Sequence, residues 1–182
     1  MGTALPTVLV LASGRGVRFT ASGGSTHKLQ ALLAGKPVLQ HTLDAVRASG
    51  LPWHLENVGH PGMGDSIAAA VRATPAAAGW LVLPGDLPLV QASTLRAVAA
   101  ALAQHAVAVP MYQGQRGHPV GFSAACRDAL LDLKGNQGAA PVLRAHQAIN
   151  SLAFLALDDV GSVTDIDTVE DLARAAQLLE AR

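Results

Sequence analysis

Short apolar runs alternate along the chain with longer, alanine-rich stretches whose apolar residues recur at helical spacing. The short runs predict β-strands over residues 7–12, 80–84, 106–112, 119–123 and 152–157, with a weaker strand of mixed polarity over 52–58. The first two runs are apolar at several consecutive positions, which is the pattern of strands covered by helices on both faces of a sheet.

The stretches between the runs predict helices over residues 37–49, 65–74, 92–104, 124–133, 138–147 and 167–182. Three of them carry a start signal. Pro37 stands at the beginning of the first, where proline is tolerated, and Ser93 and Thr94 begin the third. Asp167 with Glu170 three residues later has the spacing of a capping box. The alternation of strands and helices predicts a three-layer α/β fold with a mainly parallel sheet.

Composition supports one domain built on small aliphatic side chains. Half of the 182 residues are hydrophobic but only 3% are aromatic, so the core must be alanine, valine and leucine. No repeat, linker or low-complexity segment interrupts the chain. We therefore predict a single domain over residues 1–182.

Charge and cysteine content exclude several classes of function. The 13 basic and 13 acidic residues balance, whereas a nucleic-acid surface normally needs a basic excess. Cys126 is the only cysteine, so neither an intrachain disulfide nor a cysteine zinc site is expected. The first apolar run is too short to span a bilayer and no cationic leader precedes it. These features predict a cytoplasmic protein without nucleic-acid or membrane partners.

The segment after the first predicted strand, residues 11–28, contains four glycines, two arginines and one lysine, and almost no core-forming side chains. Glycine lets backbone N–H groups approach a phosphate, and arginine and lysine supply compensating charge. A dinucleotide fingerprint fails because Phe19 stands where the third glycine belongs, and a Walker A loop fails because His27 precedes Lys28. An anion-binding loop of another kind and a mobile surface loop both remain open.

Two further loops follow predicted strands. Residues 59–66 approach a Walker A pattern, but Asp65 stands at the lysine position and would repel a phosphate. What remains is a glycine turn that begins a helix at Asp65 and Ser66, either as a plain cap or as part of a site. Asp86 follows the strand over 80–84 and suits Mg²⁺, which prefers oxygen ligands, although a turn aspartate that caps the next helix is the alternative.

Taken in order, these loops resemble the MobA-like nucleotidyltransferases, especially the molybdenum cofactor cytidylyltransferase branch. The family motif L-A-A-G-x-S-x-R-[FM]-G-x-x-K resembles residues 11–19, with Lys28 as a delayed lysine. The motifs G-M-x-x-S, L-G-D-x-P, G-H-P-V and D-I-D-T-P-E-D-L resemble residues 62–66, 84–88, 117–120 and 165–172. The resemblance extends over nearly the whole chain. It implies a Rossmann-like, glycosyltransferase A-like nucleotidyltransferase fold with a mainly parallel mixed sheet.

The resemblance also implies roles on the nucleotide side of the site. Backbone groups at the end of the first strand would recognise the base, namely those of Leu11, Ala12, Ser13 and Gly14. Gly62 and Ser66 would line the base or ribose pocket. Arg18 and Lys28 would neutralise the triphosphate.

The same resemblance implies a magnesium site and an acceptor side. Asp86 would bind Mg²⁺, with Asp165 or Asp167 as a second acidic contact to the metal. His118 would lie on the acceptor side. Asn136 stands where the family has aspartate, which removes one charge from what would be the acceptor pocket.

The stretch between Arg18 and Lys28 and the histidines each lead to a further expectation. Nine residues, 19–27, separate Arg18 from Lys28, a longer stretch than in the family, and they either displace Lys28 or cover the triphosphate. The histidines show no ligand-like spacing, so no transition-metal site is predicted. Two lie in candidate site loops and are predicted to be solvated, His27 and His60, and four lie on predicted regular elements, His41, His54, His105 and His146.

The resulting expectation is a magnesium-dependent nucleotidyltransferase. It would transfer CMP from CTP to a phosphorylated acceptor, with molybdopterin the leading candidate, and release pyrophosphate. The alternatives within the class are a GTP-using molybdopterin guanylyltransferase and a sugar- or polyol-phosphate nucleotidyltransferase. The alternative from another class is a nucleotide- or cofactor-binding module without catalysis.

Overall fold

The computed structural model describes residues 4–181. Its strands are β1 Thr7–Leu11, β2 Leu32–Leu33, β3 Lys36–Pro37, β4 Trp53–Glu56, β5 Gly79–Pro84, β6 Val107–Tyr112, β7 Gln115–Arg116, β8 Val120–Ser123 and β9 Leu152–Ala156. Its helices are α1 Val17–Ala21, α2 Val38–Ser49, α3 Met63–Ala73, α4 Ala92–Ala101, α5 Arg127–Leu131, α6 Ala140–Ala148 and α7 Val169–Glu180. All six predicted strands are present, and each predicted helical stretch contains a helix.

Seven strands form one sheet in the order β4-β1-β5-β8-β6-β7, and β9 pairs with β6. β1 lies parallel to β4 and β5, and β6 lies parallel to β9, whereas β8 is antiparallel to both β5 and β6 and β7 is antiparallel to β6. Five of the seven strands therefore run in one direction. The prediction of a mainly parallel mixed sheet is confirmed.

Alternate residues of the strands face two separate cores. Leu9 and Trp80 pack with α3, α5 and α6 on one face, where the buried Cys126 also lies, as predicted for a core residue. Val8 and Leu81 pack with α2 and α4 on the other face. Because β1 and β5 are covered on both faces, their sequences are apolar at consecutive positions. The three layers predicted from the sequence are thus helix, sheet and helix.

The carboxyl ends of β4, β1 and β5 are joined by backbone hydrogen bonds beyond the regular ladder. The N–H of Ala12 donates to the carbonyl of Glu56, and the N–H of Gly85 donates to the carbonyl of Leu11, both at 2.8 Å. A Cβ on Gly85 would lie 3.1 Å from the Leu11 carbonyl oxygen, so a side chain there would crowd β1. The loops that leave these three strands consequently begin side by side.

The segment after β1 differs from the expected loop because it contains helix α1 and a buried aromatic side chain. Phe19 is only 2% exposed and packs in a third core cluster with Leu29, Leu33 and Ile166. Its core partners come from distant parts of the chain, so local composition did not reveal them. The short hairpin of β2 and β3 and the short strand β7 were also not predicted.

Apart from α4, whose predicted range begins at residue 92 as observed, helix starts differ from the sequence predictions by one to three residues. The capping box of α7 is formed by Thr168 and Asp171, so the predicted pair of Asp167 and Glu170 is wrong by one position. α3 begins at Met63 rather than at Asp65 and Ser66, and α4 is preceded by Gln91 rather than begun by Ser93 and Thr94. Arg182, where the last predicted helix ended, lies outside the described residues. Within residues 4–181 no helix is long and apolar enough to cross a membrane.

Replacing Thr168 with alanine should lower the free energy of unfolding by about 1 kcal/mol, the usual effect of losing an N-cap side chain. The Thr168 hydroxyl accepts the Asp171 N–H, while the Asp171 carboxylate accepts the Thr168 N–H at 2.8 Å. Denaturant unfolding measures the change. Ser93→Ala is the matched control, because Ser93 makes no cap hydrogen bond to α4, and an equal loss in both variants would contradict the assignment.

Candidate active site

Two adjoining cavities open at the joined strand ends. The large cavity, of about 970 Å³, is lined by the segment after β1, the start of α3, the end of β5 and Asn136. The small cavity, of about 310 Å³, is lined by residues around α1, β7 and the loop before α7. The cavities share four lining residues, Lys28, Met63, Pro84 and Asp86.

Most of the residues predicted from the sequence line one of these cavities. The large cavity includes Leu11, Ser13, Gly14, Gly62, Ser66 and Asn136. The small cavity includes Arg18, His118, Asp165 and Asp167. The predicted acceptor-side pair is therefore divided between the two cavities. Ala12 lines neither of them, since its N–H is bonded to Glu56 and it packs against the third core cluster.

Lys28 occupies the boundary between the cavities and is held by two carboxylates. Its Nζ lies 2.6 Å from Oδ2 of Asp86 and 3.0 Å from Oδ1 of Asp167. Burial by itself lowers the pKa of Lys28, but hydrogen bonds and charge from Asp86 and Asp167 outweigh it and hold that pKa above its ordinary value. The ammonium is therefore a permanent positive charge at this point.

The long stretch between Arg18 and Lys28 does not separate Lys28 from Asp86. It folds as α1 and a turn, and His27 then ties the end of the segment to its beginning. His27 Nε2 lies 2.6 Å from the Gly14 carbonyl oxygen, and its Nδ1 accepts the Leu29 N–H at 3.3 Å. The prediction that His27 is merely solvated is wrong.

Arg18 lies near Lys28 but is bound far more loosely. Its Nη1 is 2.7 Å from Oδ2 of Asp167, while 79% of its side chain is exposed. An exposed ion pair of this kind contributes little to stability. The guanidinium is therefore free to exchange Asp167 for a more highly charged anion.

The carboxylates around Lys28 fit a hydrated divalent cation. Oδ1 of Asp86 is buried and has no hydrogen-bond partner among the described residues. Burial, followed by repulsion from Asp86, Asp167 and Asp171, raises the pKa of Asp165, and only its own backbone opposes this. No three histidine, cysteine or acidic side chains of residues 4–181 are grouped to hold a metal. Mg²⁺ needs only one or two carboxylates when water and phosphate complete its shell, so Asp86 with Asp165 or Asp167 suffices.

His118 forms the buried wall of the small cavity. Burial lowers the pKa of its imidazole, although the negative charges of Asp86 and Asp165 oppose this. Its Nδ1 is buried and has no hydrogen-bond partner among the described residues. The imidazole donates a hydrogen bond to the Val82 backbone, which also opposes the lowering of its pKa, so in the neutral ring the unpartnered Nδ1 is a hydrogen-bond acceptor.

The start of α3 is packed against the segment that carries Asn136. Added Cβ atoms on Gly62 and Gly64 would overlap the backbones of Gly135 and Lys134. Asp65, at the position where a Walker A loop has lysine, instead accepts the Gly135 N–H at 2.9 Å. These contacts hold Asn136 over the large cavity.

The end of β4 and the loop before α3 contribute residues that sequence reasoning missed to the region of the large cavity. His60 lines this cavity, and its Nε2 lies 3.1 Å from Oε1 of Glu56, so the prediction that His60 is merely solvated is wrong. Glu56 is 6% exposed and ends β4. The predicted strand extended over 52–58, which put Glu56 inside it, and only the observed end of β4 gives Glu56 the strand-end position that identified Asp86.

The fold belongs to the three-layer α/β class that solved nucleotidyltransferase structures also adopt. A nucleotidyl transferase from Methanothermobacter thermautotroptrophicus superposes with a TM-score of 0.82 at 19% identity, covering 98% of this chain and 99% of that one. Rv0371C from Mycobacterium tuberculosis H37Rv, in complex with manganese, superposes with a TM-score of 0.72 at 24% identity, covering 95% and 98%. At these identities the likeness shows the fold alone.

The sequence identifies the family. The model of the MobA-like NTP transferase domain matches residues 8–149, and the chain belongs to that family. Purine catabolism protein PucB from Bacillus subtilis (strain 168) is 34% identical over 119 residues, which are 63% of this chain and 57% of PucB. The aligned part is thus little more than half of that relative's length.

Replacing Gly62 with alanine should lower the free energy of unfolding by about 1–3 kcal/mol, because the methyl group must displace backbone at Gly135. Amide hydrogen exchange over residues 134–138 should accelerate at the same time. Gly59→Ala is the matched control, since a Cβ there meets nothing within 4 Å and Gly59 lines the same cavity. Equal protection of residues 134–138 in both variants would refute the packing role of Gly62.

Proposed function

We propose that this chain is a magnesium-dependent nucleotidyltransferase that transfers CMP from CTP to a phosphorylated acceptor, molybdopterin in the first instance, and releases pyrophosphate. The observation that carries the proposal is the buried Lys28 ammonium, held between Asp86 and Asp167 where the two cavities meet. A nucleotide in the large cavity and an acceptor in the small cavity would meet at this charge. Membership of the family supports nucleotidyl transfer.

The proposed reaction requires little covalent chemistry from the protein. A phosphate oxygen of the acceptor attacks the α-phosphorus of the triphosphate, a new P–O bond forms, and the bond to the β-phosphate breaks to release pyrophosphate. Because the reacting groups are anions, positioning and charge neutralisation dominate the rate. Lys28 and Arg18 would supply positive charge to the triphosphate, and Ser13, Gly14, Gly62 and Ser66 would position the nucleoside.

Asp86 would hold Mg²⁺ through its unpartnered Oδ1, with Asp165 or Asp167 as the second carboxylate. When bound, the metal would supply further positive charge to the phosphates. Lys28 bonds both Asp86 and Asp167, and it would exchange one of these contacts for a phosphate oxygen as the nucleotide binds. The manganese in the related mycobacterial structure supports a divalent ion in this fold.

The choice of CTP and molybdopterin rests on the resemblance of the motifs to the cytidylyltransferase branch. The alternatives are GTP with molybdopterin, a sugar- or polyol-phosphate acceptor, and a binding module without catalysis. His118 would act toward the acceptor in the small cavity, whereas Asn136, which the resemblance also placed on the acceptor side, lines the large cavity and would face the nucleotide. We propose one functional domain over 1–182 and a cytoplasmic location, with neither nucleic acid nor membrane as partner.

Pyrophosphate release with Mg²⁺, molybdopterin and each of the four ribonucleoside triphosphates tests the proposal directly. We expect release with CTP. Release with GTP alone would identify the guanylyltransferase instead. Tight binding of a magnesium nucleotide without release, across molybdopterin and a panel of sugar and polyol phosphates, would identify the non-catalytic module.

Replacing Asp86 with alanine should abolish magnesium-dependent release of pyrophosphate, because the metal loses its principal proposed ligand. Lys28 keeps Asp167 as a partner, so the variant should remain folded by circular dichroism. Asp44→Ala is the control, since Asp44 pairs with Lys36 on the surface and lines neither cavity. Near-normal turnover of the folded Asp86 variant would disprove the metal role.

Replacing Arg18 with alanine should weaken binding of the triphosphate about tenfold, which corresponds to about 1.4 kcal/mol. Binding of the nucleoside monophosphate should change less, because it lacks the β- and γ-phosphates. Titration calorimetry with CTP and with CMP measures the two affinities. Arg96→Ala is the control, because Arg96 is a cation whose side chain bonds the Ala48 carbonyl instead. An unchanged affinity for CTP would rule out this role of Arg18.

A further inference from the structure

The carboxylate of Glu56 is buried between two imidazoles. Its Oε2 lies 3.3 Å from Nε2 of His54, and its Oε1 lies 3.1 Å from Nε2 of His60. Burial raises the pKa of Glu56, but hydrogen bonds from His60, His54 and the Val58 N–H outweigh it and hold that pKa below its ordinary value. Glu56 is therefore ionised at neutral pH and acts only as an acceptor.

In the neutral form of an imidazole, an acceptor-only partner determines which of the two nitrogens carries the proton. Nε2 of His60 must donate to Glu56, so Nδ1 retains its lone pair. The structure gives Nδ1 of His60 no hydrogen-bond partner among the described residues. A carboxylate that orients a histidine in this way also locks the ring in place. Glu56 thus presents His60 as a rigid hydrogen-bond acceptor.

Only one of the two histidines lines the large cavity. His60 lies on its wall with Gly59 and Pro61, whereas His54 does not. The phosphate end of the large cavity is marked by Lys28 and Asp86, which it shares with the small cavity. His60 lines the large cavity and not the small one, so it is not among the residues that the two cavities share.

Glu56 is also hydrogen-bonded to the segment after β1. Its carbonyl accepts the Ala12 N–H at 2.8 Å, and its carboxylate holds His60. One residue at the end of β4 therefore holds both the segment after β1 and His60 at the large cavity. The base of a nucleotide bound with its phosphates at Lys28 would extend between these two elements.

We infer that His60, oriented by Glu56, accepts a hydrogen bond from the exocyclic amino group of the base and selects cytosine over uracil. This inference rests on the proposed function. Cytosine offers an amino group where uracil offers a carbonyl oxygen. A carbonyl facing the Nδ1 lone pair would leave two acceptors opposed and desolvated, which binding sites discriminate against strongly.

Titration calorimetry with Mg²⁺ and either CTP or UTP tests the inference on the intact chain. The wild-type protein should bind CTP at least about tenfold more tightly than UTP, the usual effect of one lost hydrogen bond. His60→Leu, which fills the same space without an acceptor, should reduce the ratio of the two affinities to about one. His60→Gln, which keeps an acceptor oxygen, should retain most of the preference.

His54→Leu is the matched control, because His54 bonds the same carboxylate outside the cavity. It should leave the ratio of the CTP and UTP affinities unchanged. If His54→Leu and His60→Leu reduce the preference for CTP over UTP equally, the two histidines have a structural role, and the inference is overturned. Circular dichroism confirms that each variant is folded, and if His60→Leu does not fold, His60→Ala against His54→Ala gives the same comparison, because alanine also removes the acceptor.

The two proposals fail in different ways. A wild-type protein that binds both CTP and UTP with equal affinity overturns the selection by His60 and leaves nucleotidyl transfer intact. A wild-type protein that binds none of the four ribonucleoside triphosphates with Mg²⁺ overturns the proposed function itself. Preference for CTP that persists in His60→Leu overturns the inference alone.

Discussion

The ion pair of Lys28 with Asp86 and Asp167 is the interaction around which the site is organised. It joins three distant parts of the chain: the segment after β1, the end of β5 and the loop before α7. Lys28 and Asp86 have side chains less than one sixth exposed, so the pairing acts with reduced screening by solvent. Removing any partner would leave charge poorly compensated, which keeps the three loops together before a ligand binds.

The sheet makes this ion pair possible by bringing its loops to one edge. β4, β1 and β5 are adjacent and parallel, so Glu56, the segment after β1 and Asp86 all begin at their carboxyl ends. Open α/β sheets bind ligands in this position. Backbone bonds from Ala12 to Glu56 and from Gly85 to Leu11 then set the spacing of the loops. The same edge thus carries the Lys28 ion pair and the pair of His60 with Glu56.

Rigid packing around the cavities supports the positions of their polar groups. Gly62 and Gly64 allow α3 to approach Gly135 and Lys134 closely, and the Asp65 carboxylate bonds the Gly135 N–H. His27, which precedes Lys28 in the chain, is hydrogen-bonded to the carbonyl of Gly14. These contacts use small residues and backbone groups, so the cavities are shaped by close approach of main chains. For transfer between anions, such fixed placement of charge is the principal catalytic requirement.

The sequence by itself determined the six longer strands, most helices, the mainly parallel sheet and the family, because hydrophobic periodicity and loop motifs are local signals. It also identified Arg18, Lys28, Asp86 and Asp167, which the structure brings together. Only the tertiary structure decided that Phe19 is a core residue and that Glu56 orients His60. Those outcomes depend on partners far apart in the chain or across a turn, and no local pattern encodes the distance between them. Side-chain burial and hydrogen bonding exist only once the sheet has placed the loops.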